Sequence, residues 1–256
     1  MFFPNFQKLA TPQLALIPLL AACGPTALEV VPGDSGSSTF EDTMLVALRF
    51  YDIGSGAQVQ WAQLCVEDRN DIACETANEY GEVIYSVAAE GPTVLVAKSS
   101  NPDYMATRLI VEPVDSPSFV DIPMMTWELL EFYSGYWGFP LQPGRGHMLL
   151  RALGDSPDGG AESVQFWREP TRGQGPYYFN TTSQPDSKAE STNTHGYGFI
   201  LNGAEGEMTA GAEHLGVPCE PVAPLFQNGQ QLLTNFSAAD DSRVLTVGLF
   251  DCGEID

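Results

Sequence analysis

Thr43-Met44-Leu45-Val46-Ala47-Leu48-Arg49-Phe50-Tyr51-Asp52 is the stretch that decides the fold. Met44, Val46, Leu48 and Phe50 alternate with Leu45, Ala47, Arg49 and Tyr51, the two-residue period of a strand with both faces occupied. The run stops at Asp52-Ile53-Gly54-Ser55-Gly56, a composition that turns the chain. Ala57, Val59 and Trp61 then alternate with Gln58, Gln60 and Gln63, which predicts a strand with one wet face. A turn at Asn78-Glu79-Tyr80-Gly81 leads into Glu82 to Ala88, with Val83, Tyr85 and Val87 on one side. Gly91-Pro92 turns into Thr93 to Ser99, and Thr107 to Glu112 makes a further strand. Short strands at this spacing, each closed by turn residues, predict a mostly β chain and an antiparallel β-sandwich over residues 43–113.

The segment Pro113 to Pro123 carries three prolines with Asp115, Ser116 and Ser118, and reads as a boundary. After it, Thr126 is placed to cap a short helix through Glu131 and Tyr133, with Glu128 near the positive end of its dipole. Strand patterns resume at His147 to Leu153, Glu162 to Trp167, Tyr177 to Thr181, Gly198 to Leu201, Glu207 to Ala212 and Val244 to Phe250. Residues 182–196 and 227–242 read as long loops. The expectation is therefore two tandem antiparallel sandwiches, at 43–113 and 120–256, with a short helix between them.

The two halves read as copies. Gly56-Ala57-Gln58-Val59-Gln60-Trp61 matches Gly160-Ala161-Glu162-Ser163-Val164-Gln165-Phe166-Trp167 across a short insertion. Thr76 to Tyr85, with Gly81-Glu82-Val83-Ile84, parallels Thr194-His195-Gly196-Tyr197-Gly198-Phe199-Ile200. Gly91 to Ala97 parallels Gly206 to Ala212. Order and spacing are kept, which is stronger than any one match. The first copy also resembles the carboxypeptidase regulatory-like family in Asp52, Gly54, Gly56-Ala57-Gln58-Val59, Thr76 to Gly81, Val83 to Val87, and Thr93 to Ala97 followed by Tyr104. That resemblance implies small sandwiches of transthyretin-like or Ig-like topology that are non-catalytic. Starch-binding-like modules share the fold, so it leaves carbohydrate binding open.

The amino end sets the compartment. Leu14 to Leu20 is an apolar run closed by Ala21-Ala22-Cys23 and followed by Gly24-Pro25. It is too short for a spanning helix, which needs ~20 apolar residues, and it matches a signal peptide over residues 1–22 with a lipobox ending at Cys23. Cys23 is then the lipidation site, and acyl chains there hold the protein to a bacterial envelope. Gly24, where the enterobacterial sorting rule would look for Asp, directs the expectation to the outer membrane. Residues 24–42, rich in Pro, Gly and Ser, read as a flexible linker. The remaining cysteines, Cys65, Cys74, Cys219 and Cys252, are even in number, as an oxidising compartment favours. Four cysteines allow three pairings; proximity favours Cys65–Cys74 and Cys219–Cys252. The formal net charge is −22, and loss of residues 1–22 removes Lys8 and no acid. Such a field repels phosphate backbones, so nucleic acid is excluded as a partner.

Chemistry-bearing motifs are few. Gly33-Asp34-Ser35-Gly36 spells a protease sequence but sits in the linker, without the scaffold a nucleophile needs. The sequence carries no H-E-x-x-H, G-x-S-x-G, P-loop or G-x-G-x-x-G. His147, His195 and His214 stand in unlike contexts, so a hydrolase would need a pocket bringing one of them to a carboxylate. Glu67, Asp68, Asn70 and Asp71 offer oxygen ligands for calcium, yet lack the EF-hand glycine and distal Glu; a solvated acidic loop is the better reading. Phe132, Tyr133, Tyr136, Trp137 and Phe139 crowd one segment, and Tyr177-Tyr178-Phe179 follows a Gly/Pro turn. Trp137, Tyr177 and Tyr178 are the residues placed to stack on sugar rings; the competing reading makes the segment a plug or glue between sandwiches. The sequence thus points to a non-catalytic, lipid-anchored interaction module that needs no cofactor, with an unidentified protein or polysaccharide partner. A carbohydrate-binding module is the runner-up and a hydrolase comes third.

Overall fold

The computed structural model describes residues 43–88, 91–112, 118–156, 159–171, 173–203, 206–222, 232–236 and 243–253. The lipobox, Cys23 and the linker lie outside them. In chain order the strands of the first half are β1 (Thr43–Asp52), β2 (Gln63–Val66), β3 (Glu75–Thr76), β4 (Glu82–Ala88), β5 (Thr93–Lys98), β6 (Ala106–Val111) and β7 (Phe119–Met124). The helix α1 (Trp127–Trp137) follows. The second half holds β8 (Gly146–Leu153), β9 (Val164–Glu169), β10 (Gln174–Phe179), β11 (Pro185–Asp186), β12 (Tyr197–Gly203), β13 (Gly206–His214), β14 (Val217–Pro218), β15 (Glu220–Pro221), β16 (Leu232–Phe236) and β17 (Val244–Asp251).

These strands form a three-stranded sheet in the order β4-β1-β7, a ten-stranded sheet and a four-stranded sheet. The ten-stranded sheet runs β11-β10-β12-β8-β17-β6-β5-β2-β3, with β15 also on β17. Its central strands, β12, β8 and β17, are buried on both faces. Leu245, Val247 and Leu249 of β17 join one core cluster, while Phe250 joins the other. Leu149 and Phe199 lie on the first side, and Met148, Leu150 and Ile200 on the second. The first cluster is closed by Val46, Leu48 and Phe50 of the three-stranded sheet and by Leu130 and Trp137 of the helix. Val164, Phe166, Met208 and Ala210 of the four-stranded sheet close the second. Strands wetted on neither face need continuous apolar runs, which is why β8 and β17 read as they do.

The pairing pattern occurs twice. β1 has β4 antiparallel on one side and β7 parallel on the other. β8 likewise has β12 antiparallel and β17 parallel. Arg49 faces Glu82 and Asp121; Arg151, at the same register, faces Tyr197 and Leu249. Leu64 opposes Ala97 as Phe166 opposes Ala212. The turn before the second strand is duplicated too: the Gly81 N–H donates to Asn78 O at 3.0 Å, and the Gly196 N–H to Asn193 O at 2.9 Å. Both glycines have φ of +73° and sit under a carbonyl, that of Phe50 or of Ala152, where a Cβ has no room.

Several expectations change. Residues 57–62 form no strand, because Trp61 takes φ +57° and breaks the alternation, leaving Val59 and Ala62 both buried. Ser163 does the same in the second half, at +61°. The expected boundary contains β7, an edge strand that accommodates Pro123 because an edge needs no donor on its outer side. The two expected modules are not separate bodies in the pairing, since β17 pairs with β6 as well as β8. The expected loop at 227–242 contains β16, and the rest of it lies outside the described residues. The helix starts where the sequence placed it: Thr126 Oγ1 accepts the Leu129 N–H at 3.3 Å, and Gly138 closes it in the left-handed region. Both disulfides pair as expected, Cys65–Cys74 and Cys219–Cys252.

Candidate functional site

The aromatic residues singled out in the sequence turn inward. Trp137, 3% exposed, lies over Tyr177 with ring centroids 5.2 Å apart and packs against Phe179 and Phe199. Its indole N–H donates to the Tyr178 carbonyl at 3.2 Å. Tyr178, 2% exposed, is on the opposite face of β10, where its hydroxyl accepts the Phe166 N–H at 2.8 Å. Burial pushes the Tyr178 phenol up to about 12. Tyr177 is half-buried beneath Trp137 and Phe139. Neither Trp137 nor Tyr178 presents a ring face to a sugar. Trp137 ties α1 to β10 and β12, and Tyr178 ties β10 to β9.

Two of the acidic residues around the first disulfide, Glu67 and Asp71, are engaged in ion pairs. Glu67 accepts from Arg108 Nε at 3.0 Å, and Asp71 takes a two-pronged contact from Arg69 at 2.8 Å. That pair holds the Asp71 carboxyl down at about 2. Asp68 occupies a left-handed turn position at φ +58°. Among the described residues, no three His, Cys, Asp or Glu side chains stand together as a metal site would require.

The histidines are separated. His147 opens β8, is buried against Trp127 with rings 5.8 Å apart, and its Nδ1 accepts from Asn202 N–H at 3.4 Å. Burial lowers its pKa to about 4, so it stays neutral at physiological pH. His195 lies in the duplicated turn, where its N–H donates to Asn193 Oδ1. His214 ends β13 and lines an open cavity of about 400 Å³ with Asp155, Ser156, Glu162, Ser163 and Leu215. Its Nδ1 is buried with no hydrogen-bond partner among the described residues. Ser156, which lines the same cavity, donates to Thr194 O at 2.7 Å and accepts from Gly160 N–H at 3.1 Å. It is therefore committed to the turn.

What the sequence reading passed over is the outer face of the three-stranded sheet. Ile84, Ala47 and Phe119 stand opposite one another across β4, β1 and β7, with Leu45 in the next row. Leu45, Ile84 and Phe119 are 46%, 55% and 43% exposed. The row on the other side is polar, with Arg49 bridging to Asp121 at 2.6 Å and 2.9 Å and Glu82 alongside. In the second half, the matching row of Phe199, Leu149 and Val247 is buried beneath the aromatic residues of α1. The matching Arg151 donates to Tyr51 Oη at 2.8 Å and lies 5.0 Å over the Tyr197 ring. Two other exposed aromatics, Phe132 and Tyr136, meet edge-on at 5.0 Å on the far side of α1. The signal for the row was in the sequence: Leu45, Ala47 and Ile84 occupy the strand positions between the core residues.

No protein-family model matches the sequence, and no curated protein matches it. Among solved structures the chain is similar to the TIE protein of Bacillus anthracis at 9% identity and a TM-score of 0.26, over 81% of this chain and 33% of that one. It is similar to a streptococcal ancillary pilin at 13% identity and 0.25, over 84% of this chain and 63% of that one. For the shaft pilin of Lactobacillus rhamnosus GG the identity is 12% and the TM-score 0.24, over 84% of this chain and the whole of that one. Among the described residues, no helix is long and apolar enough to cross a membrane.

Proposed function

We propose that the chain is an exported, non-catalytic interaction module of a bacterial envelope, anchored through lipid on Cys23. Beyond the linker it presents two copies of one sandwich, of the transthyretin-like kind that the carboxypeptidase regulatory-like resemblance implies. The observation that carries this reading is the twofold pairing pattern, together with β17, which pairs with one strand of each half, β6 and β8, in the ten-stranded sheet. A body of that construction holds its exposed faces and turns at fixed positions, as a presenting scaffold requires. The two disulfides support passage through an oxidising compartment. The residues most suited to catalysis or sugar stacking are instead committed to internal contacts, as with Trp137, Tyr178, His147 and Ser156.

Two measurements test the reading. Cells fed a labelled fatty acid should label the wild-type chain, and Cys23→Ser should lose the label and release the protein from the membrane fraction. An unlabelled wild type overturns the anchor. Intrinsic tryptophan fluorescence, titrated with bacterial and plant polysaccharides, should stay flat. A saturable change lost in Trp61→Ala, whose ring is exposed on a surface turn, would replace the scaffold reading with carbohydrate binding.

A further inference from the structure

The helix α1 has aromatics on two sides, and the fold uses one of them. Leu130, Tyr133 and Trp137 pack on the core. Glu128, Phe132 and Tyr136, each four residues from the next, form a row on the other side, with Glu131 and Gly135 beside it. All of these are exposed, Phe132 at 54% and Tyr136 at 61%. The two rings meet edge to face at 5.0 Å, an arrangement that leaves ring faces free for a further group. Gly135 has nothing within 4 Å of where a Cβ would stand, so no contact among the described residues requires glycine there. A glycine inside a helix is destabilising relative to alanine, and by more than one side-chain pair at this spacing restores. The face is thus a notch flanked by two aromatic rings and two carboxylates.

Its charge is of one sign. The chain has 33 Asp and Glu against 11 Lys and Arg. Along α1 stand Glu128 and Glu131 and no base, not even in the last turn, where the negative end of the helix dipole favours one. Among the described residues neither glutamate is in an ion pair. Aromatic faces attract cations, and α1 already holds one at its first residue, where the Arg243 guanidinium lies 4.9 Å over the Trp127 ring. We propose that the Glu128–Phe132–Tyr136 row docks an arginine-bearing segment of a different protein. Guanidinium planes lie on Phe132 and Tyr136 and fork onto Glu128 and Glu131, and the notch at Gly135 admits the segment's backbone. Arginine fits better than lysine, because its planar group stacks on a ring and bonds two carboxylate oxygens at once. A second copy of the chain is the wrong partner, since it brings the same negative field. The inference rests on the interaction-module reading, to which it gives a partner chemistry, but not on the lipid anchor.

The test is the anisotropy of a short fluorescein-labelled peptide of alternating arginine and alanine, titrated with the purified full chain. Binding should saturate, and should weaken about tenfold when Phe132→Ala and Tyr136→Ala are combined. Glu128→Gln with Glu131→Gln should weaken it about threefold or more. Glu79→Gln with Glu213→Gln removes the same charge from exposed positions elsewhere and should change it less than about twofold. Gly135→Lys fills the notch and sets a cation on the face; it should melt no lower than wild type and bind at least about tenfold more weakly. A lysine–alanine peptide of equal charge should bind more weakly than the arginine peptide, and added NaCl should weaken both. Absence of saturable binding overturns the proposal, and so does wild-type affinity in Gly135→Lys. Equal losses from the two glutamine pairs would mean attraction to the overall charge alone and overturn it as well. A wild-type chain that sediments as a dimer dissolved by Tyr136→Ser would give the face to a second copy. Cosedimentation with phosphatidylcholine vesicles, lost in Phe132→Ala, would give it to a membrane. Either result overturns the arginine-bearing partner. Fatty-acid labelling and the glycan titration judge the module reading and peptide binding judges this contact, so the two fail separately.

Discussion

Arg49 and Arg151 occupy the same place in the two halves and live differently. Arg49 lies on the surface, forked onto Asp121. Arg151 is packed between Tyr51 and Tyr197, which share a hydrogen bond of 2.8 Å. Burial raises the Tyr51 phenol well above its ordinary value, so the arginine meets a neutral acceptor. The same divergence runs along the whole face: Ile84 is wet and Phe199 is core, and Asp121 stands where the second half has Leu249. The backbone pattern is fixed by strand pairing and by two glycine turns. What each side chain experiences is fixed by the layer that lies on top of it, and among the described residues only the second half has one.

The comparison can be broken most severely at the turns. A Cβ on Gly196 comes within 2.0 Å of the Ala152 carbonyl, whereas on Gly81 it meets Phe50 O at 2.7 Å. Gly196→Ala should cost about 4 kcal/mol or more and Gly81→Ala about 2 kcal/mol, read by urea unfolding. Equal losses would mean that the two turns are not packed differently. The disulfides come next. Cys219–Cys252 closes a sequence separation of 33 and Cys65–Cys74 one of 9. Replacing the first pair with serine should cost about 4 kcal/mol and the second about 3 kcal/mol on loop entropy alone. Burial of Cys219 and Cys252 widens that gap.

His147 sharpens the comparison through pH, because Leu45 fills its place in the first half. The His147 pKa falls from 6.5 in the open chain to about 4 in the fold. Its contribution is therefore complete above about pH 6.5 and is lost as pH falls toward 4, where the unfolded chain binds the extra proton. Acid titration of the unfolding free energy should show a drop of a few kcal/mol across that window, absent in His147→Leu. The arginines give the smallest effects. Arg151→Ala should destabilise by about 2 kcal/mol, since it strips a charged donor from a buried hydroxyl pair. Arg49→Ala should change stability by less than about 1 kcal/mol, as exposed ion pairs do. Thermal melts of the two variants side by side decide it.

Sequence carried the local elements well and the long-range ones poorly. Gly81 and Gly196 were matched correctly because each turn requires a left-handed residue beneath a carbonyl. Ala97 and Ala212 were matched because a small residue recurs at the same strand position. Gly56 and Gly160 were not equivalent: the bridges Tyr51–Gln58 and Leu153–Gly160 put Gly160 at the place of Gln58. A glycine within a loop of variable length sets no register. The α1 cap at Thr126 was legible, but not which aromatics it would bury, since that depends on β10 and β12, far along the chain. The parallel pairing of β17 with β6 left no local signature beyond an apolar run. The exposed residues Ile84 and Phe119 required knowing which strands are neighbours, and β7 is hidden in a segment that carries Pro113, Pro117 and Pro123.

β17 has one more consequence, and it concerns timing. It is the most C-terminal of the described strands, yet it lies in the middle of the widest sheet, between β8 and β6. Until it arrives, the sheet exists as two partial sheets, each with an open edge ready to pair with any strand nearby. Synthesis must pass Asp251 before those edges can be closed, and closing them joins residues far apart in sequence, which is slow. During that interval the newborn chain is at its most vulnerable to mispairing and also at its most pliable, a long polymer that has not yet locked into a finished object.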